Sequence, residues 1–123
     1  MSHDPSYLLL YVDSPEASGR FYAGLLGREP LQASPTFVLF ALESGLMLGL
    51  WSRQTVEPAP AAAPGAGELG FKVAEPAAVD AIHADWQARG LAIAQPPSDL
   101  DFGRAFVALD PDGHRLRVFA VTL

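Results

Sequence analysis

The stretch DPDGHRLRVF, residues 110–119, carries side chains with a clear capacity for chemistry. Its Asp112-Gly113 dipeptide is typical of a tight turn, and polar and apolar residues alternate after it. Successive side chains of a strand point to opposite faces, so Arg115, Arg117 and Phe119 are predicted to share one face, opposite the apolar residues between them. A guanidinium cation beside an aromatic ring suits the binding of a planar, acidic compound. The alternative interpretation is a solvent-exposed Arg117 that binds nothing.

Catalytic groups are harder to find in this sequence. There is no cysteine, which excludes thiol chemistry and disulfides and is typical of proteins from a reducing cytoplasm. The histidines are His3, His83 and His114, and no two of them have the spacing of metal ligands. No nucleophile has an adjacent base, and Glu68 is the one candidate base near the predicted site. The pattern therefore favours binding over catalysis.

Composition limits the partners that the protein can have. The chain has 123 residues, half of them hydrophobic, which predicts one domain or two small halves that share a core. A formal charge of −6, with only eight Lys and Arg residues, argues against nucleic acid. No apolar run reaches the roughly 20 residues of a membrane span, and the N-terminus lacks the layout of a signal peptide. We expect a cytoplasmic domain that acts on a small molecule and not on a membrane.

The elements that must position these residues occur twice along the chain. Residues 7–12 predict a buried strand, and a helix begins at Pro15 with Ser14 as its N-cap and ends at Gly27. The apolar positions of this helix are predicted to be Ala17, Phe21 and Leu25. In the second half, residues 68–73 predict a strand and Pro76 again begins a helix. The apolar stripe of that helix is predicted to be Val79, Ile82 and Trp86, and its end is at Gly90.

Further strands complete the repeat. Residues 36–42 in the first half and 104–109 in the second both resemble a strand. Each run leads to a turn, at residues 43–45 and 110–113, and each turn leads to an alternating final strand, at residues 46–52 and 114–121. Shorter runs at residues 29–31 and 91–94 predict one more strand each. The sequence therefore predicts an α+β fold of two βαβββ modules, residues 1–56 and 68–123. A Pro/Ala/Gly linker, residues 57–67, joins them.

Several of these motifs also carry a family resemblance. Phe21-Tyr22, Leu25-Leu26-Gly27 and residues 110–113 resemble motifs of the vicinal-oxygen-chelate superfamily, which includes glyoxalase I, extradiol dioxygenases and bleomycin-resistance proteins. The resemblance implies that each module curls a mixed sheet into half of an open cup. It also implies a homodimer, in which the cup is formed within one chain or by exchange of modules between chains.

Within that superfamily, the sequence looks most like the phenazine-antibiotic-resistance branch. The matching pieces are Tyr11-Val12, Glu29-Pro30, Trp51-Ser52, residues 101–104 and residues 110–117. Members of this branch bind a flat aromatic antibiotic without a metal, partly by stacking it on a tryptophan. The position that matches this tryptophan is Trp51. The resemblance therefore implies a protein that sequesters a phenazine-like drug.

The enzymes of the superfamily hold a divalent cation with four side chains, two from each module. The matching positions here are Tyr7, Gly49, Glu68 and Arg117. Glycine has no side chain and arginine is a cation, so these residues are not a ligand set, and we expect no metal and no other cofactor. Glu68 and Arg117 are instead predicted to form an ion pair. The alternative is a metal-dependent lyase, transferase or dioxygenase whose site uses Glu43, Glu68, His83 or His114.

Strand alternation predicts which face of the sheet each remaining candidate residue occupies. Met47, Gly49 and Trp51 fall on one face of their strand, and Tyr7, Leu9 and Tyr11 fall on the matching face of the first strand. Gly49 is predicted to leave space for a flat ligand against the indole. The predicted ligand-binding residues are Tyr7, Tyr11, Met47, Gly49, Trp51, Glu68, Phe102, Arg117 and Phe119. A structural or protein-binding role, with the cup filled by its own side chains, is the third possibility.

Phe102 belongs to a stretch that the sequence predicts to be a polar loop, residues 95–104. Its ring is predicted either to close over a ligand or to anchor the loop on the body of the protein. The sequence leaves the isomer of the Pro96-Pro97 bond open.

Overall fold

A computed structural model describes residues 3–122 of the chain. The chain divides into two compact units between Pro64 and Gly65, a point inside the predicted linker. Each unit contains one helix and one four-stranded sheet. In the part of the chain that is described, no helix has the length and apolar character needed to cross a membrane.

The first unit has the predicted strand–helix–strand–strand–strand order. Its elements are β1 (Tyr7–Val12), α1 (Pro15–Leu26), β2 (Gln32–Ala33), β3 (Phe37–Ala41) and β4 (Met47–Ser52). The sheet order is β1-β4-β3-β2, with β1 parallel to β4 and the other pairs antiparallel. The second strand is short and follows the residues predicted for it, 29–31.

Helix α1 begins and ends where the sequence predicts. The Ser14 hydroxyl accepts a hydrogen bond from the Ala17 amide at 3.1 Å, and Gly27 follows the last turn. The predicted apolar stripe is wrong, however, because the residues buried most completely are Ser18 and Tyr22. Small residues explain this difference, since they let the helix approach the sheet closely.

Gly19 shows how close that approach is. A Cβ atom at Gly19 would lie 3.2 Å from a methyl carbon of Val38 on β3. The helix therefore faces the sheet with the side that carries Gly19, and Tyr22 on the same side is fully buried. Apolar periodicity alone does not reveal a helix face that is built from serine and glycine.

The second unit repeats the order of the first. Its elements are β5 (Glu68–Lys72), α2 (Pro76–Ala88), β6 (Ala92–Leu100), β7 (Gly103–Leu109) and β8 (Arg115–Val121). The sheet order is β5-β8-β7-β6, with β5 parallel to β8 and the other pairs antiparallel. The predicted α+β fold of two βαβββ modules is confirmed.

The core of the second unit forms around the predicted stripe of α2. Val79 and Trp86 are buried. The indole of Trp86 makes edge contacts with Phe71 on β5 and Phe106 on β7, at centroid distances of 5.6 and 5.4 Å. Helix α2 therefore covers one face of its sheet and leaves the opposite face to other contacts.

The predicted loop at residues 95–104 is wrong for most of its length. Strand β6 continues to Leu100, and only Asp101 and Phe102 form a turn before β7. Pro96 and Pro97 lie at an irregularity in the register between Gln95 and Ser98, on the edge strand of the sheet. Prolines are tolerated there because an edge strand and a bulge need fewer backbone donors. The Pro96-Pro97 bond is trans.

Candidate functional site

The first sheet has an aromatic-rich face opposite α1, called here the aromatic face. It carries Tyr7, Leu9, Tyr11, Phe37, Leu39, Met47, Gly49 and Trp51. The alternate residues of the same strands, such as Val38 and Leu50, are buried on the helix side. The structure thus gives Tyr7, Tyr11, Met47, Gly49 and Trp51 the predicted common face.

Trp51 is half-buried on this face and lies against Phe37. Their ring centroids are 5.9 Å apart and the planes meet at 81°, which is an edge-to-face contact. Phe37 was not among the residues predicted for the site from the sequence. Counting residues outward from the turn at 43–45 gives the register of β3 and β4, which places Phe37 opposite Trp51. This register could have identified Phe37 from the sequence.

Gly49 has a different role from the predicted one. A Cβ atom there would overlap Leu9 and would lie 3.1 Å from the ring of Phe37. The space that the glycine leaves is therefore filled by the chain's own side chains and is not an open slot for a ligand. Gly49 instead allows Leu9 and Phe37 to pack beside Trp51.

The outer part of the aromatic face is open to solvent. Tyr7 is 56% exposed and Leu9 is 38% exposed. Tyr11 and Met47 are half-buried. Large apolar side chains exposed together are typical of a surface that contacts a ligand or another protein.

The second sheet presents charged residues on the face opposite α2, called here the arginine face. Its members include Glu68, Lys72, Val107, Arg115, Arg117 and Phe119. The guanidinium of Arg117 donates two hydrogen bonds to the carboxylate of Glu68, from Nε to Oε2 at 2.8 Å and from Nη2 to Oε1 at 3.3 Å. This geometry agrees with the ion pair predicted from the sequence.

The ion pair also determines the protonation of Glu68. The hydrogen bonds from Arg117 lower the pKa of Glu68 below its ordinary value, and the charges of Arg117 and Arg115 add to this effect. Partial burial opposes the shift without reversing it. Glu68 is therefore a carboxylate at neutral pH, and its lowered pKa makes it a weak base.

Phe102 packs on the arginine face. Its ring lies at 82° to the ring of Phe119, with the centroids 6.1 Å apart. The carbonyl of Phe102 accepts a hydrogen bond from the Thr122 amide at 3.0 Å. The contact with Phe119 is compatible with the predicted anchoring of the β6–β7 turn, and the role of Phe102 over a ligand stays a prediction.

A cavity of about 400 Å³ lies beside α1 and a second of about 350 Å³ lies on the arginine face. The second cavity is lined by Ala94, Gln95, Leu100, Val107, Arg115 and Arg117. Its volume is within the range of small-molecule sites in proteins. A mixture of two guanidinium groups, one amide and apolar side chains suits an acidic compound with an apolar body.

The sequence matches the family model of the Glyoxalase/Bleomycin resistance protein/Dioxygenase superfamily over residues 5–118. The chain belongs to this superfamily. The predicted resemblance to its phenazine-resistance branch is confirmed by the phenazine antibiotic resistance protein EhpR of Enterobacter agglomerans. That protein is 31% identical to this chain over 118 residues, which cover 93% of this chain and 89% of EhpR.

Solved structures with similar sequences have the same fold. A protein of Agrobacterium tumefaciens, determined by solution NMR, is 51% identical, with full coverage of both chains and a TM-score of 0.89. A glyoxalase/bleomycin resistance protein/dioxygenase from Nocardioides is 27% identical, with a TM-score of 0.85 and coverage of 98% of this chain and 85% of the other. These matches confirm the two-module architecture.

The metal position of the superfamily enzymes does not fit a metal in this chain. Two of the four aligned residues, Gly49 and Arg117, supply no donor for a cation. Both carboxylate oxygens of Glu68 are engaged by Arg117. Within residues 3–122, no three His, Cys, Asp or Glu side chains are grouped closely enough to hold a metal ion.

The residues named for the alternative metal site are each held by a separate interaction. Glu43 forms an ion pair with Arg28 at 3.4 Å. The imidazole of His83 packs against the ring of Phe106, at a centroid distance of 5.2 Å. These positions do not bring His83 and Glu68 together, because Phe106 lies on the helix side of the second sheet and Glu68 lies on the arginine face.

His114 belongs to the turn that precedes β8. Both His114 and Asp110 are buried, and the imidazole Nδ1 lies 2.8 Å from Asp110 Oδ2. Asp110 Oδ1 accepts hydrogen bonds from the amides of Asp112 and His114, each at 2.9 Å. The pair stabilises the turn, which is the structural role expected for a polar residue at this position.

Proposed function

We propose that this protein binds a small planar aromatic compound, such as a phenazine antibiotic or a related drug, and sequesters it without a metal and without transforming it. The observation that carries this proposal is the position of Trp51. The indole is half-buried on the aromatic face, and its edge-to-face contact with Phe37 covers at most one of its two faces. An indole held in this way is a stacking surface for a flat ring.

The arginine face supplies a second kind of contact. Arg117 is held in place by Glu68, and the adjoining cavity of about 350 Å³ accepts a molecule of drug size. Apolar burial and stacking on an indole are consistent with a dissociation constant of about 1 μM, or about −8 kcal/mol. We therefore propose Trp51 as the stacking contact of the first unit, and the cavity beside the Glu68–Arg117 pair as a place where the second unit binds an acidic group.

The name of the relative supports the class of ligand. EhpR is described as a phenazine antibiotic resistance protein, and this chain matches most of its length. Metal independence is supported by Arg117, which occupies a position where the superfamily enzymes have a metal ligand. The homodimer and the cytoplasmic location predicted from the sequence remain predictions, and analytical ultracentrifugation tests the first.

Fluorescence quenching by phenazine tests the proposal, because the chain has two tryptophans that can be removed separately. Trp51→Ala is expected to lower phenazine affinity at least tenfold. Trp86→Phe keeps an aromatic ring in the core of the second unit and is expected to leave both affinity and quenching almost unchanged. Calorimetry provides the affinity of the Trp51 variant independently of its fluorescence.

Three results would contradict the proposal. The first is a wild-type protein that fails to bind phenazine and related tricyclic compounds at 1 mM. The second is an affinity that Trp51→Ala leaves unchanged, which would remove Trp51 from the site. The third is stoichiometric zinc, nickel, manganese or iron in protein purified without chelator, which would favour the metal-dependent alternative.

A further inference from the structure

We propose that Arg115, and not Arg117, binds an acidic group in the cavity on the arginine face, and that this cavity of the second unit selects a compound with a single negative charge. This inference rests on the proposed function, because it specifies the charge of the compound that the protein binds. It concerns Arg115, a residue that sequence reasoning did not include among the ligand contacts.

Arg117 already forms an ion pair with Glu68. Its Nε and Nη2 groups both donate to the carboxylate of Glu68. The remaining donors of Arg117 could still reach a ligand, but its positive charge is already balanced by the carboxylate of Glu68. A ligand carboxylate therefore gains less from Arg117 than from an arginine with no paired carboxylate.

Arg115 lines the same cavity and has a different set of contacts. Its backbone is paired in register with Glu68 across the β5–β8 pair, so its side chain lies on the same face as the ion pair. In residues 3–122, however, no carboxylate lies within 4 Å of its guanidinium nitrogens. The side chain of Arg115 is exposed and its donors are available to a ligand.

The charges around the cavity indicate how many negative charges the ligand carries. The cavity is bordered by the cations Arg115 and Arg117, and the carboxylate of Glu68 neutralises one of them. The other lining residues are neutral: Ala94, Gln95, Leu100 and Val107. One positive charge therefore remains, within a chain whose formal charge is −6.

The neutral lining residues fit the rest of such a ligand. The amide of Gln95 can donate a hydrogen bond to a carboxylate oxygen. Leu100 and Val107 provide apolar surface beside the two arginines. This combination favours an aromatic monocarboxylate over an uncharged ring, because an uncharged ring leaves Arg115 unpaired. It also favours a monocarboxylate over a dicarboxylate, because the described lining of the cavity has no further cation for the second carboxylate.

Three phenazines of similar shape test the inference: phenazine-1-carboxylate, the neutral 1-carboxamide and the 1,6-dicarboxylate. We expect the wild-type protein to bind the monocarboxylate about fivefold more tightly than the carboxamide, a difference typical of one exposed charge pair. Arg115→Gln should abolish this preference by weakening only the acids. Arg115→Lys should retain part of it. Glu68→Gln, which leaves two positive charges, should improve the relative affinity for the dicarboxylate.

Arg89→Gln is the matched control, because Arg89 is an exposed cation on the helix side of the second unit. It should leave the preference unchanged. A preference that survives Arg115→Gln, or a wild-type protein that binds all three compounds equally, would overturn the inference and leave the proposed function intact. Failure of the wild-type protein to bind any of the three would overturn the proposed function itself.

Discussion

Arg117 and Glu68 form a two-point ion pair on the second sheet, with Nε–Oε2 and Nη2–Oε1 distances of 2.8 and 3.3 Å. Their side chains are 21% and 38% exposed, so water screens the pair only in part. The pair therefore holds the guanidinium of Arg117 in a fixed position on the arginine face.

The first prediction concerns the pH dependence of this pair. Because Arg117 lowers the pKa of Glu68 from its ordinary value of 4.5, the pair stabilises the folded state above pH 4.5, and the stabilisation is lost as the pH falls through the lowered pKa. Glu68→Gln should therefore reduce the free energy of unfolding by up to about 1 kcal/mol at pH 7 and by much less at pH 3, measured in urea.

Glu29→Gln is the control for this experiment. Glu29 is an exposed carboxylate in the first unit and has no ion pair among the described residues. Its substitution should change stability little at either pH. An effect of Glu68→Gln that is equally large at pH 3 and pH 7 would show that the loss does not come from the ion pair.

The second prediction concerns the packing of Leu9 over Gly49. Gly49→Ala places a methyl group into Leu9 and against Phe37, and we expect it to lower the free energy of unfolding by about 1–3 kcal/mol. Leu9→Ala removes the main obstacle. The double variant should therefore be more stable than the sum of the two single changes predicts, by at least about 0.5 kcal/mol. Additive losses in urea denaturation would refute the contact.

The third prediction concerns the turn before β8. Asp110→Ala removes the acceptor of two backbone amides and the partner of the buried His114, so we expect a loss of about 3 kcal/mol in the free energy of unfolding. Pro111→Ala, at an exposed position of the same turn, should cost less than about 1 kcal/mol. Equal losses in thermal denaturation of the two variants would contradict the structural role of Asp110.

The fourth prediction compares two glycines. Gly103 has a φ of 146°, and a Cβ there would overlap the carbonyl oxygen of Ala120, so Gly103→Ala should destabilise the protein by about 2 kcal/mol or more. Gly24 lies within α1, where a Cβ meets nothing within 4 Å. Gly24→Ala should stabilise the protein by about 0.5–1 kcal/mol. Opposite shifts in thermal midpoint test both statements, and shifts of the same sign would contradict one of them.

Much of the fold could be predicted from the sequence, because its signals are local. Ser14, Pro15 and Gly27 determine where α1 begins and ends, and these contacts need no information from distant residues. The face of Trp51 also follows from strand alternation alone. Repetition of the same signals in the second half predicted the second module.

The predictions that were wrong concern features that depend on contacts between residues far apart in the sequence. The buried side of α1 is set by the approach of Gly19 to Val38, which apolar periodicity does not reveal. The continuation of β6 through Pro96 and Pro97 depends on the edge position of that strand. The filled space at Gly49 depends on Leu9, a residue from another strand. In each case, pairing between strands or packing between elements overrides the local pattern.

The pairing of large and small residues differs between the two sheets, and this constrains how the protein can evolve. Leu9 lies beside Gly49 in the first sheet, whereas Gly70 lies beside Arg117 in the second. In each unit, one strand of the parallel pair has a large side chain where its neighbour has a glycine. Any side chain at position 49 would overlap Leu9, so a smaller residue at position 9 would have to arise before it or together with it.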